Sequence, residues 1–586
     1  MSSQHLLNAR SEDGDEEDTI GELNSDRSRR NNAGFKTWLR SLPTWLMALP
    51  ISIMFVGVYL ASTHQPNRTN FILMISDGFG PASETFAREF YKHTHGLDWK
   101  DDFKFPLDEI LVGSSRTRSS NSFVTDSAAG ATAFSCAMKS YNGAISVEPE
   151  GRHKPCGTVL EAAKQRGYKT GLVVTSRLTH ATPACFYAHV VDRDMESEIA
   201  EFLVGDGPLG HVVDLALGGG LCFFQPNETS SSCRTDNMDM LESARKKGIN
   251  VILSEKELLD SSRRNAKALP LPVLGLFNRD HLNYNLDRVH LPPASSEPSL
   301  MNMTEIALRT LDEAAKNSQP SIWSRLKFWN RPDGWGLGFF LMVEGSRIDM
   351  AGHSNDPGAH AEEIFEYQRT VAVVRKWIKD HPSCNTQLIS VSDHETGGLS
   401  LARQLSPYHY PVYNWYPQAL KNVTHSTAAL GQLILAHSKL HQGEIQEDWL
   451  KEEIFKQGLG IMDATHDEVT GLGESMGIVG GEWWVDVFLA NMSSYRAQLG
   501  WATHGHSGVD VNLYMEPFST DFHGSKENYE IGARIASHLG LSLDPITVQL
   551  NEHVDDWFFW NTTSKIPKGG QQRRQLVGHE SCGGHN

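Results

Sequence analysis

The chain has 586 residues, of which 39% are hydrophobic and 21% charged, so global disorder is excluded and a large domain with appendages is expected. The formal net charge of −18 argues against a nucleic-acid-binding protein, because phosphate backbones are held by clustered Lys and Arg. An anionic ligand would therefore need local positive charge, from metal ions or from a helix N-terminus.

The N-terminal region predicts a membrane anchor. Residues 1–44 combine an acidic run with a basic cluster and are expected to form a disordered cytosolic tail. Residues 45–61 are uncharged and come near the lower length limit for a transmembrane helix. A cleaved signal peptide is the alternative, although its charged region would be unusually long. The basic cluster precedes the span, which predicts a single-pass type II protein whose chain is luminal or extracellular from the linker 62–69 onward.

Sequons and cysteines agree with that topology. The sequons all follow the predicted span and begin at Asn67, Asn227, Asn302, Asn422, Asn491 and Asn561. Seven cysteines leave room for one or two disulfides, and Cys222 with Cys233, at the two ends of one loop, is the best candidate pair. Cys136 stands in an apolar helical run and is interpreted as a buried small hydrophobic residue rather than a metal ligand.

Short apolar runs rich in Val, Ile and Phe predict buried parallel strands at 71–76, 170–176, 338–345 and 387–392. Helical patterns separate them, for example at 157–169 and 361–381. This alternation predicts an α/β protein, a three-layer α/β/α sandwich with a mostly parallel central sheet. Ligands of such sheets bind beyond the carboxyl ends of the strands, where polar residues gather in this chain.

Two regions fit the alternation poorly. Residues 400–475 are rich in His, Tyr, Pro and Trp before they become polar and helical, and we interpret them as an insertion or an oligomer contact. Residues 546–586 are assigned to a C-terminal tail, whose Gly- and Gln-rich end after about 562 carries a dibasic pair and is a candidate for processing.

The segment VTDSAAGATA carries a candidate nucleophile. Ser127 stands before a run of small residues that continues as a helix, so its hydroxyl could meet a phosphate at the helix N-terminus. The alternative is that Thr125, Asp126 or Ser127 only caps the helix.

Carboxylates and imidazoles recur at successive strand ends and predict metal binding. Zinc takes N and O donors, whereas magnesium prefers oxygen donors. Arg193 is a fixed cation that could hold two phosphate oxygens. An isolated Asp, His or Arg would usually be a surface or salt-bridging residue, but the recurrence makes that interpretation a poor one. The candidates for zinc are Asp349, His353, Asp393, His394 and His506, and those for magnesium are Asp77, Thr182 and Glu344.

These residues resemble the alkaline phosphatase family from about residue 70 to 545. The segments that match, in the family's order, are MISDGFGPAS, VTDSAAGATA, VTSRLTHATPA, AHVVDR, DLALGGG, MVEGSRIDMAGH, SVSDHETGG and HSGVDV. The resemblance implies that Asp349, His353 and His506 hold one Zn²⁺, that Asp77, Asp393 and His394 hold a second, and that Asp77, Thr182 and Glu344 hold Mg²⁺. It also implies that His180 tunes the magnesium site and that Asp126 orients Arg193.

The activity implied by the resemblance is hydrolysis of phosphate monoesters of broad specificity through a phosphoserine on Ser127. Family members are commonly homodimers, so a homodimer is expected. The anchor resembles that of the fungal vacuolar branch of the family, so a vacuole membrane location is expected, with the cell surface as the alternative. Met350 replaces the cation of better-known members. A sulfatase is disfavoured because the Cys/Ser-x-Pro-x-Arg pattern is missing at Ser127, and a phosphodiesterase because its nucleophile is typically threonine. A non-catalytic zinc-storing protein is the alternative from another class.

Overall fold

The computed structural model describes residues 68–264, 268–318, 337–477 and 481–558. The four predicted strands are present with bounds shifted by one or two residues. The strands are β1 Thr69–Ile75, β2 Leu111–Arg116, β3 Lys169–Arg177, β4 Leu215–Gly219, β5 Asn250–Ile252, β6 Val273–Leu276, β7 Leu337–Glu344, β8 Asn385–Val391, β9 Glu395–Thr396, β10 His506–Ser507, β11 Val511–Glu516 and β12 Gly524–Glu527.

Helices of very different lengths connect the strands, and both predicted helices are present. The α-helices are α1 Pro81–Thr94, α2 Ser127–Cys136, α3 Val159–Arg166, α4 Ala181–Ala184, α5 Glu196–Leu203, α6 Met240–Lys246, α7 Glu255–Arg264, α8 Asn285–Arg288, α9 Leu300–Asn317, α10 Arg347–Ser354, α11 Pro357–Asp380, α12 Thr427–Leu440, α13 Glu447–Trp449, α14 His466–Met476, α15 Gly481–Ala497, α16 Asn528–Leu539, α17 Asp544–Asn551 and α18 Val554–Trp557. A π-helix, Leu450–Gly458, follows α13.

Ten strands form one mostly parallel sheet in the order β12-β2-β11-β8-β1-β7-β3-β4-β6-β5. Within it, β11 runs antiparallel to both of its neighbours. Side chains of β1 point alternately to two faces, so Phe71 and Leu73 enter one hydrophobic core while Ile72 and Met74 enter the other. Helices α2, α3 and α16 contribute to the first core and α1, α9 and α11 to the second. The sheet is therefore covered on both faces, which agrees with the predicted layered α/β fold.

The region interpreted as an insertion forms a helical unit that extends beyond 475. Its buried residues, among them Leu430, Ile454 and Leu489, make a third hydrophobic core built from α12, the π-helix, α14 and α15. The folded chain also continues past 545, because α17 buries Ile546 and Leu550 against Ala162 of α3.

Two disulfides are present in the described part of the chain. The predicted pair Cys222–Cys233 is confirmed. The interpretation of Cys136 as a simple buried residue was wrong, because it is bonded to Cys156 at the end of a loop that folds back onto α2. Cys185 and Cys384 are free thiols.

The predicted cytosolic tail, the 45–61 span, most of the linker, and the chain end beyond Phe558 lie outside the described residues, as do the sequons at Asn67 and Asn561. Among the helices that are described, none has both the length and the apolar character required to cross a bilayer.

Candidate metal centre and nucleophile

The predicted ligands meet because three parallel strands end at the same level. Ile75 of β1 is paired with Glu344 of β7 on one side and with Val391 of β8 on the other. Asp77 and Asp393 each follow their strand by two residues, so the chain places both beside Glu344 at the carboxyl edge of the sheet.

A separate two-stranded ladder brings in the C-terminal histidine. His506 of β10 pairs with Thr396 of β9, and the His394 and His506 rings stack with their centroids 3.5 Å apart. A residue more than a hundred positions away in sequence thereby joins the group at the end of β8.

The N-terminus of α2 presents the candidate nucleophile to this group. The Asp126 carboxylate caps the helix by accepting from the Ala129 amide at 3.0 Å. Ser127 is the first helical residue, and its Oγ lies 3.1 Å from Nε2 of His394. Asp126 is therefore the capping residue, and the Ser127 hydroxyl faces the candidate ligands.

The small residues of α2 let it approach the ligands closely. A Cβ at Gly130 would lie 2.9 Å from Cβ of Asp393, closer than non-bonded carbon atoms normally come. Gly78 has φ of +75° in the turn after Asp77, and a Cβ there would meet the Asp349 backbone at 2.6 Å. These two glycines allow the carboxylates of different strands to come together.

Three histidines are oriented in the same way. His506 donates from Nδ1 to the Thr125 carbonyl at 2.8 Å, and Nδ1 of His353 donates to the His504 carbonyl. Nδ1 of His394 lies 3.2 Å from the Thr396 hydroxyl. Because a carbonyl oxygen only accepts, Nδ1 of His353 and of His506 carries the proton and Nε2 offers a lone pair.

The Nε2 atoms of these histidines lie close to the carboxylates. Nε2 of His353 lies 3.2 Å from Nε2 of His506 and 3.2 Å from an Asp349 oxygen. Ligand atoms of Asp349, His394 and His506 also lie within 4.8 Å of one another, so His394 adjoins the first predicted zinc set as well as the second. Ligand atoms of Asp77, Asp393 and His394, the second predicted zinc set, all lie within 4.8 Å of one another. The unprotonated Nε2 atoms of His353 and His506 face each other at 3.2 Å, an arrangement that a cation between them would stabilise.

The third predicted set lies next to the second. Ligand atoms of Asp77, His180 and Glu344 lie within 4.8 Å of one another. The Thr182 hydroxyl lies close to Glu344, and Thr182 Oγ1 and one Glu344 oxygen are buried without a hydrogen bond of good geometry. Buried oxygen atoms that lack donors suit a hard cation such as magnesium.

The charges of the centre also fit metal ions. Asp77, Glu344, Asp349 and Asp393 are all fully buried, with 0% of each exposed. Burial raises the pKa of Glu344 to about 8, whereas for Asp393 burial is outweighed by His394, His506 and Asp77 together, which lower the pKa to about 2. So many buried carboxylates are costly unless cations balance them, and divalent ions at the three sets would do so.

Arg193 lies beside both Asp126 and His180. Its Nη1 donates to Asp126 Oδ2 at 3.2 Å, and Nη2 lies 3.1 Å from Nε2 of His180. The Asp126 carboxylate therefore has two roles, since it caps α2 and also holds the Arg193 guanidinium in place. Arg193 is buried, so its charge is poorly screened by water and suits binding of an anion.

Met350 does not supply a second cation. It is buried in a small cluster with Tyr284 and Ala351, and the Arg347 guanidinium lies 3.7 Å from the Tyr284 ring centroid. Arg347 Nη1 also lies 2.9 Å from Met350 Sδ, so the cation beside this position is that of Arg347, packed among apolar and aromatic groups.

Two supporting residues were not predicted from the sequence. Thr396 bonds both Asp349 and Nδ1 of His394, and His504 exchanges hydrogen bonds with His353. Thr396 lies three residues after Asp393, and His504 lies two residues before His506, so both stand in segments that carry predicted metal ligands. Spacing gave no reason to assign them a role, because the bonds of Thr396 to Asp349 and of His504 to His353 are made across the fold.

The chain is similar to known proteins over most of its length. The sequence matches the alkaline phosphatase family over residues 68–541. It is 42% identical to an alkaline phosphatase of Schizosaccharomyces pombe, over 91% of this chain and 92% of the relative. It is 39% identical to the repressible alkaline phosphatase of Saccharomyces cerevisiae, over 90% and 91%.

The fold agrees as well. The crystal structure of a cold-active alkaline phosphatase from Shewanella is similar with a TM-score of 0.63 and 29% identity, over 80% of this chain and all of that one. The chain is an enzyme and belongs to the alkaline phosphatase family.

Proposed function

We propose that the chain hydrolyses phosphate monoesters through a covalent phosphoserine on Ser127, at a centre of two Zn²⁺ and one Mg²⁺. The observation that carries the proposal is the hydroxyl of Ser127 at a helix N-terminus, 3.1 Å from Nε2 of a histidine that belongs to a metal-binding set. A nucleophilic serine needs both an activating group and charge stabilisation beside it.

The donor types support the assignment of the metals. Asp349, His353 and His506 would hold one zinc ion and Asp77, Asp393 and His394 the other, since both sets mix imidazole and carboxylate. The oxygen donors Asp77, Thr182 and Glu344 would hold magnesium, with His180 beside them. When bound, these cations would lower the pKa of the serine hydroxyl and stabilise charge on the attacking and leaving oxygens.

The residues of the chain then have distinct tasks. Ser127 attacks phosphorus and the alcohol leaves, which forms the phosphoserine. Water attacks the same phosphorus from the opposite side, breaks its bond to Oγ and releases inorganic phosphate. Arg193 binds non-bridging oxygens in both steps, and Asp126 keeps its guanidinium in place. The N–H groups at the start of α2 add further positive potential.

The test is hydrolysis of p-nitrophenyl phosphate across pH by the purified protein, beside Ser127→Ala and a chelator-treated sample. We expect activity at alkaline pH that falls on the order of 10³-fold or more in Ser127→Ala. Chelation should abolish activity, and added zinc and magnesium should restore it. Undiminished activity in Ser127→Ala would refute the mechanism.

A matched control separates chemistry from folding. Ser135 is equally buried on the same helix, and its hydroxyl lies near Thr132 and Ser146 rather than the ligands. Ser135→Ala should keep the metal response and most of the activity. An inactive, metal-loaded wild type would refute the proposed reaction.

We further propose broad specificity for phosphate monoesters and a homodimer. Broad specificity follows from a mechanism whose chemical steps act on the phosphoryl group, which all phosphate monoesters share. Light scattering of the purified protein measures the mass, and a monomeric mass would refute the dimer.

We also propose a type II protein of the vacuole membrane with a luminal catalytic domain. The uncharged 45–61 segment, the preceding basic cluster and the exposed sequons at Asn227 and Asn422 support it. The test is extraction of the full chain with alkaline carbonate, protease protection and imaging. Release by carbonate would refute the anchor, and a signal at the cell surface would favour the alternative location.

A further inference from the structure

A pocket of about 360 Å³ lies against the segments that carry the first zinc set. Its wall comes from the 402–404 loop, from α15 of the helical unit, from the 500–504 loop and from Asn355 after α10. The volume is in the range of pockets that bind small molecules. The metal-binding sets account for none of its lining residues.

Hydrogen bonds connect this pocket to the ligands. His504, a lining residue, bonds the His353 carbonyl through Nδ1 at 2.8 Å and accepts from the His353 ring. Asn355 donates to the carbonyls of Gly352 and Thr503, at 2.8 and 3.0 Å. The backbone that holds His353 therefore also forms one side of the pocket.

The charge of the pocket differs from that of the protein. The chain has 71 acidic and 53 basic residues, yet none of the ten described residues that line the pocket is acidic. One of the ten is Arg403, and Gln404, Asn491 and Ser494 contribute amide and hydroxyl groups. A region of this composition attracts anions and hydroxylated molecules.

Arg403 is held in place with donors to spare. Its Nη2 donates to Asn491 Oδ1 at 3.1 Å and its Nη1 to the Leu499 carbonyl at 3.4 Å, while the guanidinium carbon lies 5.3 Å from the Tyr495 ring centroid. Within the described part of the chain these bonds use two of the five N–H groups of the guanidinium. Trp501 is another lining residue, fixed by a bond from its indole N–H to Ser494 at 3.0 Å.

We propose that this pocket binds the alcohol part of the substrate and favours phosphate monoesters whose alcohol carries hydroxyl groups and a second anionic group. The proposal rests on the proposed function, because it requires the phosphoryl group to lie between Ser127 and the metal sets. The alcohol would then extend past His353 toward Arg403. The broad hydrolysis of phosphate monoesters is retained, with a preference added to it.

The experiment compares 3-phosphoglycerate, which carries a hydroxyl and a carboxylate, with p-nitrophenyl phosphate on the full-length, metal-loaded enzyme. The measured quantity is the ratio of kcat/KM for the first substrate to kcat/KM for the second. We expect Arg403→Ala to lower this ratio about tenfold, mainly through KM, as for loss of one partly exposed charged hydrogen bond. Arg309→Ala, which removes a half-buried arginine paired with Glu305 on α9, should leave the ratio unchanged.

A second variant avoids truncating the arginine. Asn491→Asp adds a carboxylate to the pocket at nearly constant volume and should also lower the ratio. Because Asn491 begins a sequon, it is compared with Ser493→Ala, which removes the sequon from a residue outside the lining. A ratio unchanged in both Arg403→Ala and Asn491→Asp would overturn the proposal.

The two proposals can fail separately. Activity that survives Ser127→Ala would refute the proposed mechanism whatever the ratio is. If Ser127→Ala is inactive and the kcat/KM ratio is unchanged in Arg403→Ala, the proposed mechanism is supported and the proposed role of the pocket is refuted.

Discussion

The close contact between α2 and Asp393 allows a sharp prediction for Gly130→Ala. The added Cβ would lie 2.9 Å from the Asp393 Cβ, whereas non-bonded carbon atoms prefer about 3.5 to 4.0 Å. Relief therefore requires a shift of at least about 0.6 Å between the helix and the ligand. Metal–ligand distances tolerate about 0.2 Å, so the shift should disturb both the second zinc set and the attack geometry.

We expect kcat/KM for p-nitrophenyl phosphate to fall on the order of 10²-fold, as for a misplacement approaching 1 Å. This corresponds to about 2.7 kcal/mol of transition-state stabilisation. Stability should change little, because alanine favours a helix by about 1 kcal/mol over glycine and so offsets part of the strain. The assays are steady-state kinetics at saturating metal, zinc titration and thermal unfolding.

The control is Gly473→Ala on α14, where a new Cβ meets nothing within 4 Å. It tests the general effect of alanine in a helix and should leave activity intact. Full activity of Gly130→Ala would refute the reasoning. Equal losses of activity and of folded protein would show that the contact supports the fold and not the site.

The remaining predictions concern stability and metal binding. Replacing Cys136 with serine should cost about 3 kcal/mol of unfolding free energy, as for other loops of this size, whereas Cys384→Ser should cost much less; denaturant titrations measure both. Burial lowers the pKa of His360 from 6.5 to about 4. As pH drops from about 6.5 to 4, the unfolded chain therefore takes up a proton at His360 before the folded protein does, and the free energy of unfolding decreases. The loss should reach about 3 kcal/mol, and a His360→Gln variant whose stability falls just as steeply over that range would contradict it. Thr396→Val should weaken zinc affinity about 10- to 100-fold in a folded protein, since it removes a bond to a ligand carboxylate, while the exposed Thr470→Val should not; unchanged affinity in Thr396→Val would contradict the role.

Local sequence pattern was enough for the main elements of the sheet. The runs at 71–76 and 387–392 are short, apolar and continuous, and they form neighbouring strands buried on both faces. Because parallel strands present their carboxyl ends on one edge, Asp77 and Asp393 could be expected to meet from their positions in the sequence alone. The disulfide between Cys222 and Cys233 could also be predicted, because a short loop joins the two residues.

Features that depend on packing across the fold could not be predicted. Cys136 looked like one more small residue of an apolar helix, and only the return of the following loop brings Cys156 to it. The helical unit was placed at 400–475, but its core draws Val485 and Leu489 from α15, since helices are grouped by their shared apolar faces and not by composition.

The sequence by itself determined the strand-forming runs, the residue types of the centre and the membership of the family, because these depend on local periodicity and on short motifs. Tertiary structure decided which nitrogen of each histidine faces inward, how closely α2 approaches Asp393 and where the Arg403 pocket lies. These features depend on contacts between segments far apart in the chain. The position of each atom there is set by the packing of the whole domain to within a few tenths of an ångström, which no local pattern encodes.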